Sequence, residues 1–219
     1  LRPGRDRLSV PKYLQRDAEL LPHQLKGLAW LQNLWINGAN GALLADDMGL
    51  GKTLQALSFI VWHHELVDAG LWPEKPILIV APVVLIENWK EEYDKFIDPP
   101  ILGPFLELHG SHVAQFRNDE ISSVSLDHGE IAKAGVVITT YETLRNYQVS
   151  LGLIDWGIIV VDEVQKMKTP SAMITMAVKA MKYDFGLSMT GTPVENSWVD
   201  LWSIMDFVQP GQLGSLKEF

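Results

Sequence analysis

One segment in the first quarter of the chain combines glycines, a lysine and a hydroxyl in an order suited to holding phosphate. Residues 42–45 predict a short buried strand, and residues 53–67, without Gly or Pro, predict a buried helix. Loop N–H groups and the helix N-terminus direct partial positive charge at phosphate oxygens. The pattern indicates a phosphate-binding loop, in which Lys52 reaches the β- and γ-phosphates and Thr53 holds Mg²⁺. The segment reads Leu43-Leu44-Ala45-Asp46-Asp47-Met48-Gly49-Leu50-Gly51-Lys52-Thr53.

This loop departs from the usual phosphate-loop pattern at one position. Asp46 stands where a glycine is expected, five residues before Gly51. Taken alone, the segment is also compatible with an ordinary strand–turn–helix whose glycines serve only the turn.

A pair of carboxylates ends another apolar run, residues 157–161. Asp162 is suited to hold the Mg²⁺ shell, directly or through water, and Glu163 to orient and deprotonate an attacking water. A helix N-cap is the simpler alternative for an isolated Asp-Glu. Together with the glycine-rich loop about 110 residues earlier, the pair predicts an ATPase.

Apolar strands alternate with helices along the chain, which predicts an α/β domain with a mostly parallel sheet and helices on both faces. Ligands of such sheets bind at the carboxyl ends of the strands, where the loop, the acids and Thr190-Gly191-Thr192 all fall. Residues 1–20 are expected to be an extended lead-in to the domain at 21–219. Strands are predicted at 42–45, 77–82, 105–109, 136–140, 157–163 and 184–189, and helices at 21–36, 53–67, 85–96, 112–118, 141–147, 172–181 and 199–208.

Composition narrows the function classes. The 219 residues carry a net charge of −9 and no cysteine, which excludes disulfides, thiolate zinc sites and bulk electrostatic DNA binding. No apolar run predicts a membrane span, and no signal peptide is recognisable. A basic N-terminal stretch is either a local nucleic-acid contact or a solvated arm: Arg2, Arg5, Arg7, Lys12, Arg16 and Lys26.

At the level of motifs, the chain resembles the first motor lobe of Swi/Snf-type ATPases, superfamily-two DNA translocases. Residues 21–31 are similar to the stretch before the phosphate loop, and the resemblance implies that Gln24 recognises adenine. Asp is normal in this family where Asp46 stands, whereas Glu is usual at Asp47. The nucleotide set implied is Gln24, Asp47, Met48, Gly49, Leu50, Gly51, Lys52 and Thr53.

Other motifs extend the resemblance over nearly the whole chain. Asp162-Glu163-Val164-Gln165 stands where many members have Asp-Glu-Ala-His. The resemblance implies that Gln165, Thr190, Gly191 and Thr192 couple nucleotide state to DNA contact. Family motifs at 81–92 and 139–144, with the placement of donors at strand ends, predict backbone contacts to DNA from Asn88, Ser111, Thr140 and Tyr141.

The family resemblance implies a RecA-like lobe that binds ATP and Mg²⁺, grips double-stranded DNA and translocates when a second lobe closes. Nothing in this chain matches that second lobe, so hydrolysis by these residues alone is expected to be weak. A strand-separating helicase and a nucleotide-gated protein-interaction scaffold stay open as alternatives. The expected compartment is the bacterial cytoplasm, or the nucleus if the source is eukaryotic, with possible protein partners and no membrane.

Tryptophans and histidines are two further residue types that could carry function. Trp30, Trp35, Trp62 and Trp202 sit in apolar helical patterns, which favours core packing over base stacking. His109 and His112 have the spacing of metal ligands. With no cysteine and no acidic cluster apparent beside them in the sequence, no metal site is predicted there.

Overall fold

A parallel sheet forms the centre of the domain. The computed structural model describes residues 1–15, 19–47, 49–98, 100–118, 125–166, 172–191 and 198–217. Within these ranges six strands pair in the order β1-β6-β5-β2-β4-β3, every pair parallel. The strands are β1 (Gly41–Leu44), β2 (Ile77–Val80), β3 (Leu106–Leu108), β4 (Val136–Thr139), β5 (Asp155–Val161) and β6 (Lys182–Met189). All six were predicted, most with ends within two residues.

Helices connect the strands. The described helices are α1 (Pro22–Ile36), α2 (Lys52–Asp68), α3 (Ile86–Phe96), α4 (His128–Ile131), α5 (Tyr141–Asn146), α6 (Gln148–Gly152), α7 (Met173–Lys179) and α8 (Trp198–Val208). The two short helices α4 and α6 were not predicted, and the helix expected at 112–118 is a 3-10 helix at Gly110–Phe116. No helix in the described ranges is both long and apolar enough to cross a bilayer.

Alternation along the central strands explains why helices cover both faces. In β2, Ile77 and Ile79 pack into one apolar cluster with α1, α2 and α3, whereas Leu78 and Val80 pack into the other. The other cluster also contains residues of α5, α7 and α8. Because successive side chains of a strand point to opposite faces, a strand buried on both sides is apolar throughout. The continuous apolar runs in the sequence therefore predicted the layering correctly.

The N-terminal segment packs on the domain, and Arg2 is not part of a free basic arm. The Arg2 guanidinium donates to the carbonyls of Ala39 and Asp184, each at 2.8 Å, and lies 4.3 Å from the Trp35 ring centroid. Its side chain therefore clasps the end of α1 to the start of β6. The expectation that residues 1–20 form only an extended lead-in is too simple, because Leu14 also bridges to Ile97 and is buried.

Tryptophan positions correct one expectation. Trp35 and Trp62 are buried in the core as predicted, and Trp202 is half-buried. Trp30 is 44% exposed, so the prediction of core packing is wrong for it. Trp30 lies on α1 outside the face through which Leu28, Leu31 and Trp35 pack into the core.

A buried histidine makes the stability of this domain sensitive to acid. The pKa of His63 is lowered from 6.5 to about 4, chiefly by burial; nearby Asp184 opposes the shift, and the nearby charges of His64, Arg2 and Lys75 contribute to it. Below pH 6.5 the unfolded chain therefore takes up a proton that the folded chain refuses, and stability falls until the pH reaches about 4. A shift of this size corresponds to on the order of 3 kcal/mol.

We expect His63→Phe, which keeps a ring against Trp35, to remove this dependence. Urea unfolding at pH 7 and pH 4.5 measures it: the wild type should lose about 2 kcal/mol more than the variant between the two pH values. Carboxylate protonation affects both proteins and cancels in the comparison. If the wild type and the variant lose the same free energy of unfolding, folded His63 takes up its proton at pH 4.5 as the unfolded chain does, and the lowered pKa is wrong.

Candidate nucleotide site and adjoining groove

Three adjacent strands bring the predicted nucleotide residues together. The glycine-rich loop follows β1, Thr190 follows β6 and Asp162 follows β5, all at the carboxyl edge of the sheet. Within the loop, the Lys52 ammonium donates to the carbonyl of Asp46 at 2.7 Å and to that of Asp47 at 2.9 Å. It is close enough to Asp162 to stabilise that carboxylate electrostatically. A single cation is thus held over the loop and faces the acidic strand end.

The loop conformation requires its two glycines. Gly49 and Gly51 have φ values of 82° and 72°, in the region that disfavours side chains. A Cβ on Gly51 would also lie 2.3 Å from Nε2 of Gln24, which hydrogen bonds hold in place. The turn alternative explains the positive φ values, whereas the close approach of Gln24 is a tertiary contact that a simple turn does not need.

Gln24 fastens the loop to α1. Its Oε1 accepts from the backbone N–H of Leu21 at 2.8 Å, and its Nε2 donates to the Leu50 carbonyl at 3.2 Å. His23 Nε2 also lies 3.0 Å from that carbonyl. Gln24 is 5% exposed, and these hydrogen bonds fix its amide in place.

Asp46, the departure from the usual phosphate loop, has a structural partner. Gln55 of α2 donates from Nε2 to Asp46 Oδ2 at 3.2 Å. A carboxylate at this position therefore ties the start of the loop to the helix that follows it.

Asp162 is the most constrained acid of the site. Trp89, fully buried on α3, donates from Nε1 to Asp162 Oδ2 at 2.9 Å, and the Glu163 N–H donates to Oδ1 at 2.8 Å. Burial raises the pKa of the Asp162 carboxyl above its usual value, and these two donors partly offset the rise. Sequence reasoning missed this bond. The available signal was that a buried indole N–H needs an acceptor.

Glu163 has a strained backbone conformation, and its side chain belongs to a short chain of hydrogen bonds. Its φ of 54° makes it the non-glycine residue with positive φ in the part of the chain that the structure describes. Such strain costs on the order of 1–3 kcal/mol and is concentrated at functional sites. Gln165 Nε2 donates to Glu163 Oε2, and Thr190 Oγ1 donates to Gln165 Oε1 at 2.7 Å. The chain Thr190–Gln165–Glu163 links the ends of β6 and β5.

The residues present suit a magnesium nucleotide. A glycine-rich loop with the Lys52 ammonium held over it fits phosphate, and the buried carboxyl of Asp162, which burial makes costly to ionise, fits a divalent cation. Thr53 is half-buried in the first turn of α2, beside Lys52. Met48 and Thr192 lie outside the described residues. Gly191 is half-buried directly after Thr190.

A groove of about 920 Å³ occupies the other half of the same sheet edge. It is lined by the residues that follow β2, β3 and β4, including Pro82, Gly110 and Thr140, and by Arg117 and Arg145. Ser111, exposed, follows Gly110 at this edge. Thr140 caps α5 by accepting from the Thr143 N–H at 3.2 Å. The groove thus has a polar wall and two guanidinium groups.

Two of the predicted DNA contacts are placed differently from the others. Tyr141 lines the groove, yet it is buried, and its hydroxyl donates to the Asp162 carbonyl at 2.6 Å. Asn88 lies in a separate cleft with Gln24 and Gly51, where its Nδ2 donates to Glu92 Oε1 at 3.1 Å. The structure therefore places Thr140 and Tyr141 in the groove and Asn88 in the cleft with Gln24 and Gly51, whereas Ser111 follows a lining residue, Gly110, without lining the groove itself.

Comparison with known proteins gives a consistent result. The family profile described as SNF2-related domain matches residues 23–219. Zorya protein ZorD of Escherichia coli is 45% identical over 96% of this chain and 20% of its own length, and DNA excision repair protein ERCC-6-like 2 of Mus musculus is 35% identical over 96% and 14%. The SWI2/SNF2 ATPase core of Sulfolobus solfataricus in complex with dsDNA has a TM-score of 0.77 and 35% identity, covering 97% of this chain and 40% of that one.

These matches cover nearly all of this chain and a minor part of each relative. The chain spans about a fifth or less of the two curated relatives just named, and 40% of the solved core. The match to the family profile over 23–219, together with the parallel sheet and its flanking helices, shows that the chain belongs to the SNF2-related domain family and has the RecA-like fold of a SWI2/SNF2 ATPase core.

Proposed function

We propose that this chain is the ATP-binding first motor lobe of a double-stranded DNA translocase that couples ATP hydrolysis to movement on DNA or to remodelling of protein–DNA complexes. The observation that carries the proposal is that the candidate nucleotide site and the groove occupy the two halves of one sheet edge. The Lys52 loop and the acids follow β1, β6 and β5, and the groove follows β2, β3 and β4. A motor needs these two functions side by side on one rigid element.

In this proposal the Lys52 loop binds the ATP phosphates. The Lys52 ammonium exchanges the carbonyls of Asp46 and Asp47 for β- and γ-phosphate oxygens, as the phosphate-loop lysine does in other nucleotide hydrolases. Gln24, already fixed at Leu50, is in place to meet the adenine edge. Thr53 and Asp162 would hold Mg²⁺, which supplies charge neutralisation to the phosphates.

Glu163 is the proposed general base. Its carboxylate follows Asp162 directly and would accept a proton from the attacking water. Gln165, hydrogen-bonded to both Glu163 and Thr190, is a physical connection by which a change at the end of β6 would reorient the base. This connection supports the coupling role proposed for Gln165, Thr190, Gly191 and Thr192.

Duplex DNA is the proposed occupant of the groove. Its exposed hydroxyl and guanidinium groups suit phosphate oxygens, which gives backbone grip without sequence readout. The neighbour of known structure is described as bound to dsDNA, which supports this assignment. Asn88 remains a proposed contact that would act from the nucleotide side. A second RecA-like lobe in the same polypeptide, closing over the ATP, is part of the proposal.

The experiment is ATP hydrolysis by the natural full-length protein with and without duplex DNA. We expect duplex DNA to stimulate turnover, and Arg145→Ala, in the groove, to raise the DNA concentration needed for half-stimulation by roughly three- to tenfold, since it removes one phosphate partner. Lys133→Ala is the matched control, because Lys133 is exposed, pairs with Glu130 and precedes β4, at the opposite edge of the sheet from the groove. It should leave stimulation unchanged.

The alternatives predict other results in the same assay. ATP binding without any effect of DNA would favour the nucleotide-gated scaffold and remove the DNA assignment. Strand separation of a tailed duplex, measured in parallel, would favour the helicase. Equal effects of Arg145→Ala and Lys133→Ala would show that the groove is not the DNA site.

A further inference from the structure

Three side chains with metal-ligand atoms converge at the carboxyl end of β3. Glu107 and His109 are two residues apart on an extended segment and therefore project from the same face. Gly110, with a φ of 54°, turns the chain into the 3-10 helix, and the His112 N–H bonds back to the His109 carbonyl at 3.1 Å. The turn brings the imidazole of His112 beside that of His109, with ring centroids 5.6 Å apart.

The spacing of the ligand atoms suits one ion. Glu107 Oε2 lies 3.3 Å from His109 Nε2 and 3.9 Å from His112 Nδ1, and all three ligand atoms lie within 4.8 Å of one another. Ligands about 2.0–2.1 Å from a tetrahedral zinc ion stand about 3.3–3.5 Å apart. Small side-chain rotations would complete such a site. Among the described residues this is the set of three potential ligands that meets this condition.

The donor types select the class of ion. Two imidazole nitrogens and one carboxylate favour zinc and its first-row neighbours over magnesium and calcium, which prefer oxygen ligands. Three protein ligands leave at least one position for water or another oxygen. No thiolate takes part, so the absence of cysteine does not bear on this site.

Lys90 holds the carboxylate in place and limits the affinity. Its ammonium lies 2.8 Å from Glu107 Oε1 and 3.0 Å from Glu87 Oε2. Lys90 contacts one carboxylate oxygen of Glu107, Oε1, and the other oxygen, Oε2, faces His109 and His112. Its charge also repels a cation, so the site should be stronger without it.

We propose that Glu107, His109 and His112 form a binding site for a divalent transition-metal ion of the zinc class. The site is separate from the nucleotide loop and does not depend on the proposed motor function. His109 also lines the groove, so a bound ion would fix the turn at Gly110–Phe116 that carries Ser111.

The test measures zinc binding to the natural full-length protein by equilibrium dialysis with Zn²⁺ alone at pH 7.5. We expect His109→Ala and His112→Ala each to remove one equivalent of zinc, or to weaken its binding at least about tenfold. Lys90→Met should tighten the same equivalent several-fold, because the repelling charge is gone. His64→Ala is the matched control: His64, on α2, lies 3.4 Å from Asp68 and should not change the stoichiometry.

Opposite effects of the Lys90 and histidine variants distinguish a metal site from a structural cluster. A variant that merely disturbs the fold would lower the unfolding temperature, which is measured without zinc for the wild type and all four variants. Identical zinc stoichiometry and affinity in the wild type, His109→Ala and His112→Ala would overturn the proposal, and so would weaker binding by a folded Lys90→Met. Mg²⁺ at the same concentration should not compete.

Discussion

Glu163→Gln is expected to leave ATP bound and to stop its hydrolysis. The substitution removes the base and keeps the size of the side chain, so the strained backbone at φ 54° has the same atoms to support it. A Gln side chain can still accept a hydrogen bond from Gln165 through its amide oxygen. Loss of a positioned general base lowers the rate by roughly 10²–10⁴. We expect turnover to fall by at least about 10² with little change in nucleotide affinity.

This separation of binding from turnover is measured on the natural full-length protein. Binding of a fluorescent ATP analogue gives the affinity, and a single-turnover assay with duplex DNA gives the hydrolytic step. Glu130→Gln is the matched control, because Glu130 is an exposed carboxylate on α4 whose partner is Lys133. If Glu163→Gln hydrolyses ATP at the wild-type rate, Glu163 is not the base, and a different carboxylate must be sought.

The sheet was predictable because local patterns determine it. Each central strand is apolar throughout, since both faces are covered, and helices of ordinary length separate the strands. The phosphate-binding role of the glycine-rich loop stays a prediction. It could be made from the sequence because a phosphate site needs glycines, a lysine and a hydroxyl close together in the chain. Neither prediction requires knowledge of a tertiary contact.

Tertiary contacts account for what the sequence did not predict. Arg2 is buried against Trp35 through partners far along the chain, and a list of N-terminal charges could not distinguish it from an exposed arm. The carboxylate beside His109 and His112 is Glu107, which strand alternation could have indicated once the end of β3 was known. The helices α4 and α6 are only four and five residues long, too short for periodicity to reveal.

The two halves of the sheet edge meet at Tyr141. Its ring forms part of the groove, and its hydroxyl donates to the carbonyl of Asp162, the residue that precedes the proposed base. Burial raises the pKa of Tyr141 well above its usual value, so the phenol keeps its proton and remains a donor. If α5 moves when a ligand occupies the groove, the Tyr141 bond would therefore transmit that movement directly to Asp162 at the end of β5. This contact, the Trp89 bond to Asp162 and the Thr190–Gln165–Glu163 chain all reach the acids from outside the nucleotide loop.

Lys52→Ala is expected to abolish nucleotide-dependent activity while leaving the fold intact. The ammonium now bonds to the carbonyls of Asp46 and Asp47, both in partly or fully exposed residues, so water can replace it when it is removed. The free energy of unfolding should change by less than about 1 kcal/mol. The phosphates lose their single cation from the loop, and removal of one such charge-stabilising group costs roughly 10²–10³ in rate.

Lys52→Arg is the companion variant that separates charge from geometry. A guanidinium keeps the positive charge, but its planar group is too wide for the compact position of the Lys52 ammonium, which lies beside the Asp46 and Asp47 carbonyls and would contact the phosphates. We expect it to recover part of the ATP affinity and little of the turnover. Measurement of both quantities, with thermal unfolding as the control for folding, tests the role directly. Wild-type hydrolysis by a folded Lys52→Ala protein would remove the loop from the nucleotide site and with it the proposed motor.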